Sequence, residues 1–314
     1  MTNAYSQFRT LSAFMMALTL LILTGCDVLN SNDPEVATLS DEEIEEASEI
    51  LSQSLADQSE GLMANLYDMT GSVNASGILH ERRAFSRNPA LRPCRGVSRE
   101  YEYEYDEESG QHTIEYEREH EGRGCTKSIA ANLVYVFADA DGNYIEFPRV
   151  NKSAISTIDF NGDRMGSATN TPNDSSEFSS TFSRVGTWSM TGLNSESGIA
   201  TLNGTQTNTG EYTKVKGDSS KSGVYEVTFQ ASDVTIDGSA EERDLENEIS
   251  GTITYSMTMT KTRNGVSETK EAEGTIELEN NGRALLRFLG LKKVYRVSLD
   301  DGRVDDVSEQ EGDD

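Results

Sequence analysis

Three cysteines (Cys26, Cys94, Cys125) and three histidines (His80, His112, His120) are the side chains of this 314-residue sequence best suited to nucleophilic, metal or redox chemistry. None of the histidines has a second ligand at helical or hairpin spacing, so they do not point to a metal site. His112 reads as a surface residue facing Glu107. Three short motifs were weighed for chemistry. "SETK" (Ser267 to Lys270) has the spacing of a serine acylase pair, but it sits in an alternating segment and its companion motifs are missing. "GDSS" (Gly217 to Ser220) would need a later histidine, and His120 is the last. "DADGNYIEF" places Asp139, Asp141 and Gly142 at calcium-loop spacing, but Phe137 and Pro148 fall where carboxylates belong, so a hairpin turn is expected. Paired carboxylates of the glycosidase kind are defined by separation in space, and a single Trp188 is a poor sugar platform. The expectation is a protein that is not an enzyme, with no catalytic residues, no cofactor and no metal site; a hydrolase is the last of the readings.

The cysteines carry more information. Residues 11–23, "LSAFMMALTLLIL", are uncharged and follow the lone basic Arg9, a length that suits an export signal better than a membrane span. The run ends in Leu23-Thr24-Gly25-Cys26, which resembles the lipobox of bacterial lipoproteins. The resemblance implies cleavage before Cys26, acylation of its thiol and a palmitate-bearing N-terminus in the cell envelope. Each buried CH₂ of such chains contributes about 0.8 kcal/mol of membrane affinity. An ordinary cleaved signal, or an uncleaved anchor, is the alternative. Asp27 matches the enterobacterial pattern for inner-membrane retention, a rule of limited range, and the outer membrane is favoured here.

With Cys26 acylated, Cys94 and Cys125 remain as a pair in a compartment where disulfide bonds persist. Between them "REYEYEYDEESGQHTIEYER" alternates on both sides of Ser109-Gly110. A two-residue loop there would set Tyr103 opposite Tyr116, Tyr105 opposite Ile114 and Cys94 opposite Cys125. Two free thiols, or a register slipped by a bulge at "EGRG", would break that pairing.

The chain carries 27 basic and 54 acidic residues. Without residues 1–25, which hold only Arg9, the balance is 26 against 54, a net charge of −28. Such a surface repels nucleic acid and anionic head groups. Acid spread along the chain suits a salty medium or a solubility device better than dedicated cation sites.

Five segments follow: a signal peptide (1–25), a polar tether (26–39), an amphipathic helix (40–70), a β domain (71–299) and an acidic frayed tail (300–314). In the helix Ser40 and Glu43 form a capping box, and Ile44, Ala47, Leu51, Leu55, Leu62, Leu66 and Met69 recur at helical spacing, with a break expected near Gly61. From Gly96 the period is two, punctuated by Asp141-Gly142, Asn161-Gly162, Asn203-Gly204, Asp237-Gly238, Asn264-Gly265, Asn281-Gly282 and Asp301-Gly302. Glycines 186, 204, 223, 251 and 274 read as strand boundaries, and residues 163–181 as a long loop. "RALLRFLGLKKVYRVSL" reads as a central strand pair or as a helix followed by a strand. The fold expected is mainly β, a long antiparallel meander forming a curved or barrel-like sheet with the helix packed on it.

Tyr225, Phe229, Tyr255, Met257 and Met259 share one face of that sheet. As core they make the protein a lipid-anchored scaffold or interaction module with a protein partner; as a cavity lining they make it a carrier of a lipid or other apolar ligand. A membrane-spanning barrel is excluded by the Glu, Lys and Thr on strand faces that would meet lipid. The lipobox carries the first prediction. Mass spectrometry of the protein from its own envelope should show a chain beginning at acylated Cys26, and an unmodified N-terminus upstream of it would refute the assignment.

Overall fold

A computed structural model describes residues 39–72, 98–122, 125–173, 176–195, 197–216, 219–237, 245–263 and 266–307. Residues 1–38, read above as signal peptide and tether, and residues 308–314 of the expected tail lie outside them.

Helix α1 (Asp41–Leu55) opens on the capping box: Glu43 N–H donates to Ser40 Oγ at 3.4 Å, and Ser40 N–H donates to Glu43 Oε2 at 2.7 Å. Asp41, Glu42 and Glu43 fill its first turn, where the helix dipole favours negative charge. Ile44, Ala47, Leu51 and Leu55 form its buried stripe. A 3₁₀ turn (Asp57–Ser59) then leads through Gly61 into α2 (Leu62–Gly71). The single helix expected over 40–70 is thus two, broken near Gly61. A side chain at Gly61 would run into the carbonyl oxygens of Ser54 and Ala56 at 2.6 and 2.7 Å, so the chain can fold back tightly only there.

Twelve strands follow as one antiparallel sheet in sequence order. They are β1 (Ser98–Asp106), β2 (Gln111–Gly122), β3 (Cys125–Ala138), β4 (Thr157–Asn173), β5 (Ser176–Thr191) and β6 (Ile199–Lys216). The remainder are β7 (Ser219–Asp237), β8 (Ile249–Arg263), β9 (Val266–Glu279), β10 (Arg283–Phe288), β11 (Val294–Ser298) and β12 (Val304–Asp306). The meander is open, with β1 and β12 as its edges. β12 occupies part of the stretch read as a frayed tail.

The helices show that the sheet curls. Asp57 and Gln58 donate backbone N–H groups to Leu299 and Asp300 at the end of β11, while Glu60 lies 3.9 Å from Arg164 on β4 and 3.7 Å from Lys127 on β3. On a flat sheet β4 and β11 would stand seven steps of about 4.8 Å apart, about 34 Å. Residues 57 to 60 span about 10 Å at most, so the strands must wrap around the helices to meet them. Burying the inward face in this way needs no closure of the barrel.

Several local readings are corrected. The β1–β2 connection is four residues, Glu107 to Gly110, because Asp106 caps it: Glu108 N–H donates to Asp106 Oδ1 at 2.9 Å and Ser109 Oγ to Oδ2 at 2.8 Å. Tyr103 therefore faces Ile114 and Tyr105 faces His112, two places from the expected register; a slip of two preserves which face each side chain takes. Cys125 opens β3 opposite Gly122 rather than continuing β2. Residues 163–181 belong mostly to β4 and β5, where Ser167, Thr169, Ser179 and Thr181 take outward positions. Asn161-Gly162 lies mid-strand, and Asn203-Gly204 lies within β6 opposite a bulge in β7, where Asn203 Oδ1 accepts the Asp233 N–H at 2.8 Å. The segment from Arg283 is a strand pair turning at Leu289-Gly290.

Glycines 186, 204, 223, 251 and 274 are strand-interior. Each of Gly204, Gly210, Gly223 and Gly274 stands directly opposite an aromatic residue (Trp188, Tyr225, Tyr212 and Tyr255), whose ring lies over the bare backbone. Gly162 and Gly186 pair with each other and make the floor on which Asn65 of α2 rests. A methyl group at Gly186 would meet Trp188 Nε1 at 2.7 Å and Asn65 Nδ2 and Gln206 Oε1 at 3.1 Å. Gly186→Ala should accordingly cost about 1–3 kcal/mol of overpacking, read as a lowered midpoint in urea unfolding with an unchanged slope. A variant as stable as the parent would show that α2 does not dock this closely.

Candidate functional site

Side chains alternate between faces along each strand. In β1–β9 the outward positions hold no Lys or Arg but many acids, among them Glu102, Glu104, Glu115, Glu117, Asp159, Glu211, Glu226, Glu271 and Glu273. The cations stand inward, in phase with the apolar core: Arg118, Lys127, Arg164, Arg184, Lys214, Lys221, Lys261, Arg263 and Lys270. The sheet thus has a basic inner face and an acidic outer one.

The helices supply the counter-charges. Glu46 of α1 pairs with Lys221 at 3.0 Å and with Lys261, and accepts from the Tyr212 hydroxyl. Glu42 pairs with Arg263, and Glu43 with Lys270 at 3.3 Å. Asp41 meets Lys293, just before β11, at 2.8 Å. From α2, Asp68 pairs with Arg164, which is fully buried. Between these ion pairs runs a neutral buried chain in which Asn65 donates to Gln206 at 2.7 Å, Gln206 to Asn208 at 2.9 Å and Asn208 to the Ser54 carbonyl at 2.8 Å. Arg184 is only 2% exposed and forms no ion pair among the described residues. It donates to the carbonyls of Ser183 and Thr209 and to the Tyr225 hydroxyl, with its guanidinium 5.0 Å from the Phe182 ring centre.

Burial alone would raise the Glu46 carboxyl, but hydrogen bonds from Lys261, Tyr212 and Lys221 outweigh it and hold the group below the ordinary glutamate range. Burial pushes the Tyr212 phenol up, and its bond to Glu46 adds to that. Glu43 is likewise held low, the bonds from Ser40 and Lys270 overcoming the burial that opposes them.

The five aromatic and methionine residues of the inward face lie in this assembly. Phe229, Tyr255, Met257 and Met259 are at most 4% exposed and share one core with Ile44, Leu51, Leu62 and Leu66 of the helices, while Tyr225 is packed at its margin. Cys26 and Cys94 lie outside the described residues, and of Cys125 only the backbone is described, so the expected pairing of Cys94 with Cys125 lies outside them too. His112 is not a surface residue. It is fully buried beneath the loop after β3, where Nε2–H donates to the Ile145 carbonyl at 3.0 Å and Nδ1, left as the acceptor, takes the Tyr103 hydroxyl at 2.9 Å. Burial lowers its pKa, against the bond to Ile145.

Ser267 and Lys270 of "SETK" stand on opposite faces of β9; Ser267 bonds Thr262 and Lys270 pairs with Glu43 and Glu268, so the two cannot act together. Asp139 accepts from the backbone N–H groups of Asp141 and Asn143 at 2.9 Å each, which makes "DADGN" a capped turn. Of "GDSS", Gly217 and Asp218 lie outside the described residues. No three His, Cys, Asp or Glu side chains gather at metal-binding distances among the described residues.

Comparison with protein-family models, with curated proteins and with solved structures returns no match. The geometry therefore has to speak for itself. The basic inner face was missed in the sequence reading although its signal is there: Arg118 keeps phase with Ile114 and Tyr116, and Lys261 with Met257 and Met259.

The pairing has a pH signature. A carboxyl held low in the folded state adds stability that is present above its ordinary value of 4.5 and is lost as pH falls through the lower folded value. Glu46→Gln should cost about 2 kcal/mol near neutral pH by stranding Lys261 and Lys221, discounted for their partial exposure. It should also flatten the fall in unfolding free energy below about pH 4.5. An unchanged acid limb in denaturant titrations at several pH values would dismiss Glu46 as a source of acid sensitivity.

Proposed function

We propose that this is a lipid-anchored, non-catalytic protein of the bacterial envelope, in the outer membrane, acting as a scaffold or interaction module. Its reading as a lipoprotein rests on the lipobox at Leu23 to Cys26. Its reading as a module rather than a carrier is supported by one observation above the others: α1 and α2 fill the inward face, so the residues that could have lined a ligand cavity pack against the chain's own Ile44, Leu51, Leu62 and Leu66. What remains for a partner is the outward face and its edges. The wet rows of Ser, Thr and Glu on β5–β9 make that face hydrophilic. Partners recognised there would be held by polar and charged contacts, sensitive to salt.

Native mass spectrometry of the chain from residue 27 onward, purified from a periplasm, tests this directly. An apo mass with no uptake of added fatty acids or phospholipids is expected. A reproducible bound apolar mass would require the helices to move off the inward face and would put the carrier reading in its place.

A further inference from the structure

The rule that cations face inward ends at β10. The outward face of β10 and β11 carries Arg283, Arg287 and Arg296, and Arg303 stands just ahead of β12. Arg283 stands opposite Ser298, which is bonded in turn to Arg303 across the turn into β12, and Arg296 lies two residues before Ser298 on the same face. Arg283, Arg296 and Arg303, from β10, from β11 and from just ahead of β12, line one cavity of about 150 Å³ together with Asn281, Ser298 and Asp305. Arg303 is paired with Asp301 at 2.8 Å and Arg296 lies 3.9 Å from Glu279, whereas Arg283 forms no ion pair among the described residues. Asn281 Oδ1 already accepts the Arg283 N–H at 3.1 Å, which leaves its amide N–H groups as donors.

We propose that this cavity binds a phosphate group. Three guanidinium forks arriving from two strands and the turn ahead of β12 suit a tetrahedral anion with oxygens on several sides; a planar carboxylate is satisfied by one fork. All three cations are arginine, whose donors lie in a fixed plane and cannot lose their proton, so the arginines themselves stay charged at any physiological pH. Asp305, opposite Arg296 in the register, lines the same cavity and opposes an incoming anion. The acidic face of β1–β9 adds long-range repulsion, so capture depends on close contact. The phosphate can belong to a free phosphate or monoester, or to the head group of an anionic phospholipid; the same forks recognise both. The proposal does not depend on the anchor at Cys26.

The full chain in non-ionic detergent, titrated calorimetrically with inorganic phosphate and separately with dihexanoyl phosphatidylglycerol against protein-free micelles, decides the matter. Saturable binding is expected, weakened about tenfold or more in Arg283→Gln through loss of a charge-assisted bond. Asp305→Asn should bind more tightly. Arg283 is exposed and unpaired, so its variant should keep the parent's thermal midpoint, which separates loss of binding from loss of fold. A lipid affinity well above that for phosphate would assign the site to a head group, and the reverse order to a free phosphate or monoester. No saturable binding of either ligand, or equal affinity in Arg283→Gln, would overturn the proposal.

Discussion

The helix pair and the sheet are held together by opposite charge laid over a shared apolar core. Acids of α1, of α2 and of the turn between them meet inward-facing cations of β3, β4, β7, β8 and β9, and Asp41 meets Lys293 ahead of β11. These pairs are unequal. Glu42 and Arg263 are well exposed and contribute little. Arg164 and Lys261 are largely removed from water, where an unpaired charge would be costly, so their partners fix where the helices must sit. Hydrophobic burial supplies the driving force, and the ion pairs select one docking among many that would bury similar area.

That docking explains why the sheet can stay open. Twelve strands with one apolar face must hide it, and closure into a barrel is the usual solution. Here two helices do so instead, and the sheet curls to follow them. The curl needs room on the inside, which the glycines provide: Gly162 and Gly186 let α2 approach, and rings from adjacent strands cover Gly204, Gly210, Gly223 and Gly274. A bulge in β7, which shifts its register against both β6 and β8, adds to the bend.

Segregation of charge across the sheet has a consequence for partners. The outward face of β1–β9 is free of Lys and Arg, while the same face of β10–β12 is rich in Arg. A molecule approaching from outside meets a broad acidic field with one arginine-bearing end. Among the inner cations, Arg164, Lys221, Lys261, Arg263 and Lys270 are paired with helix acids and Lys127 with Glu60, while Arg184 rests on carbonyls and aromatic faces and Arg118 on the Tyr116 ring. The surface open to recognition is therefore polar and electrostatic in kind.

Periodicity determined the class of fold, the inward face of Tyr225, Phe229, Tyr255, Met257 and Met259, the capping box of Ser40 and Glu43 and the break near Gly61, because each is a relation between residues close in sequence. The resemblance of Leu23 to Cys26 to a lipobox rests on the same kind of local signal. Registers were less legible: Asn-Gly names a turn only if the flanking strands end there, and Asn161-Gly162 and Asn203-Gly204 do not, since both are needed as strand backbone inside a curled sheet. The Asp106 cap lengthened one turn and moved a register by two while leaving every face unchanged. Tertiary structure alone decided that the helices fill the inward face, that His112 is buried under the loop after β3, and that arginines 283, 296 and 303 share a cavity. Those facts join residues up to hundreds of positions apart, and no local pattern encodes a distance between segments that meet only when the whole sheet has curled.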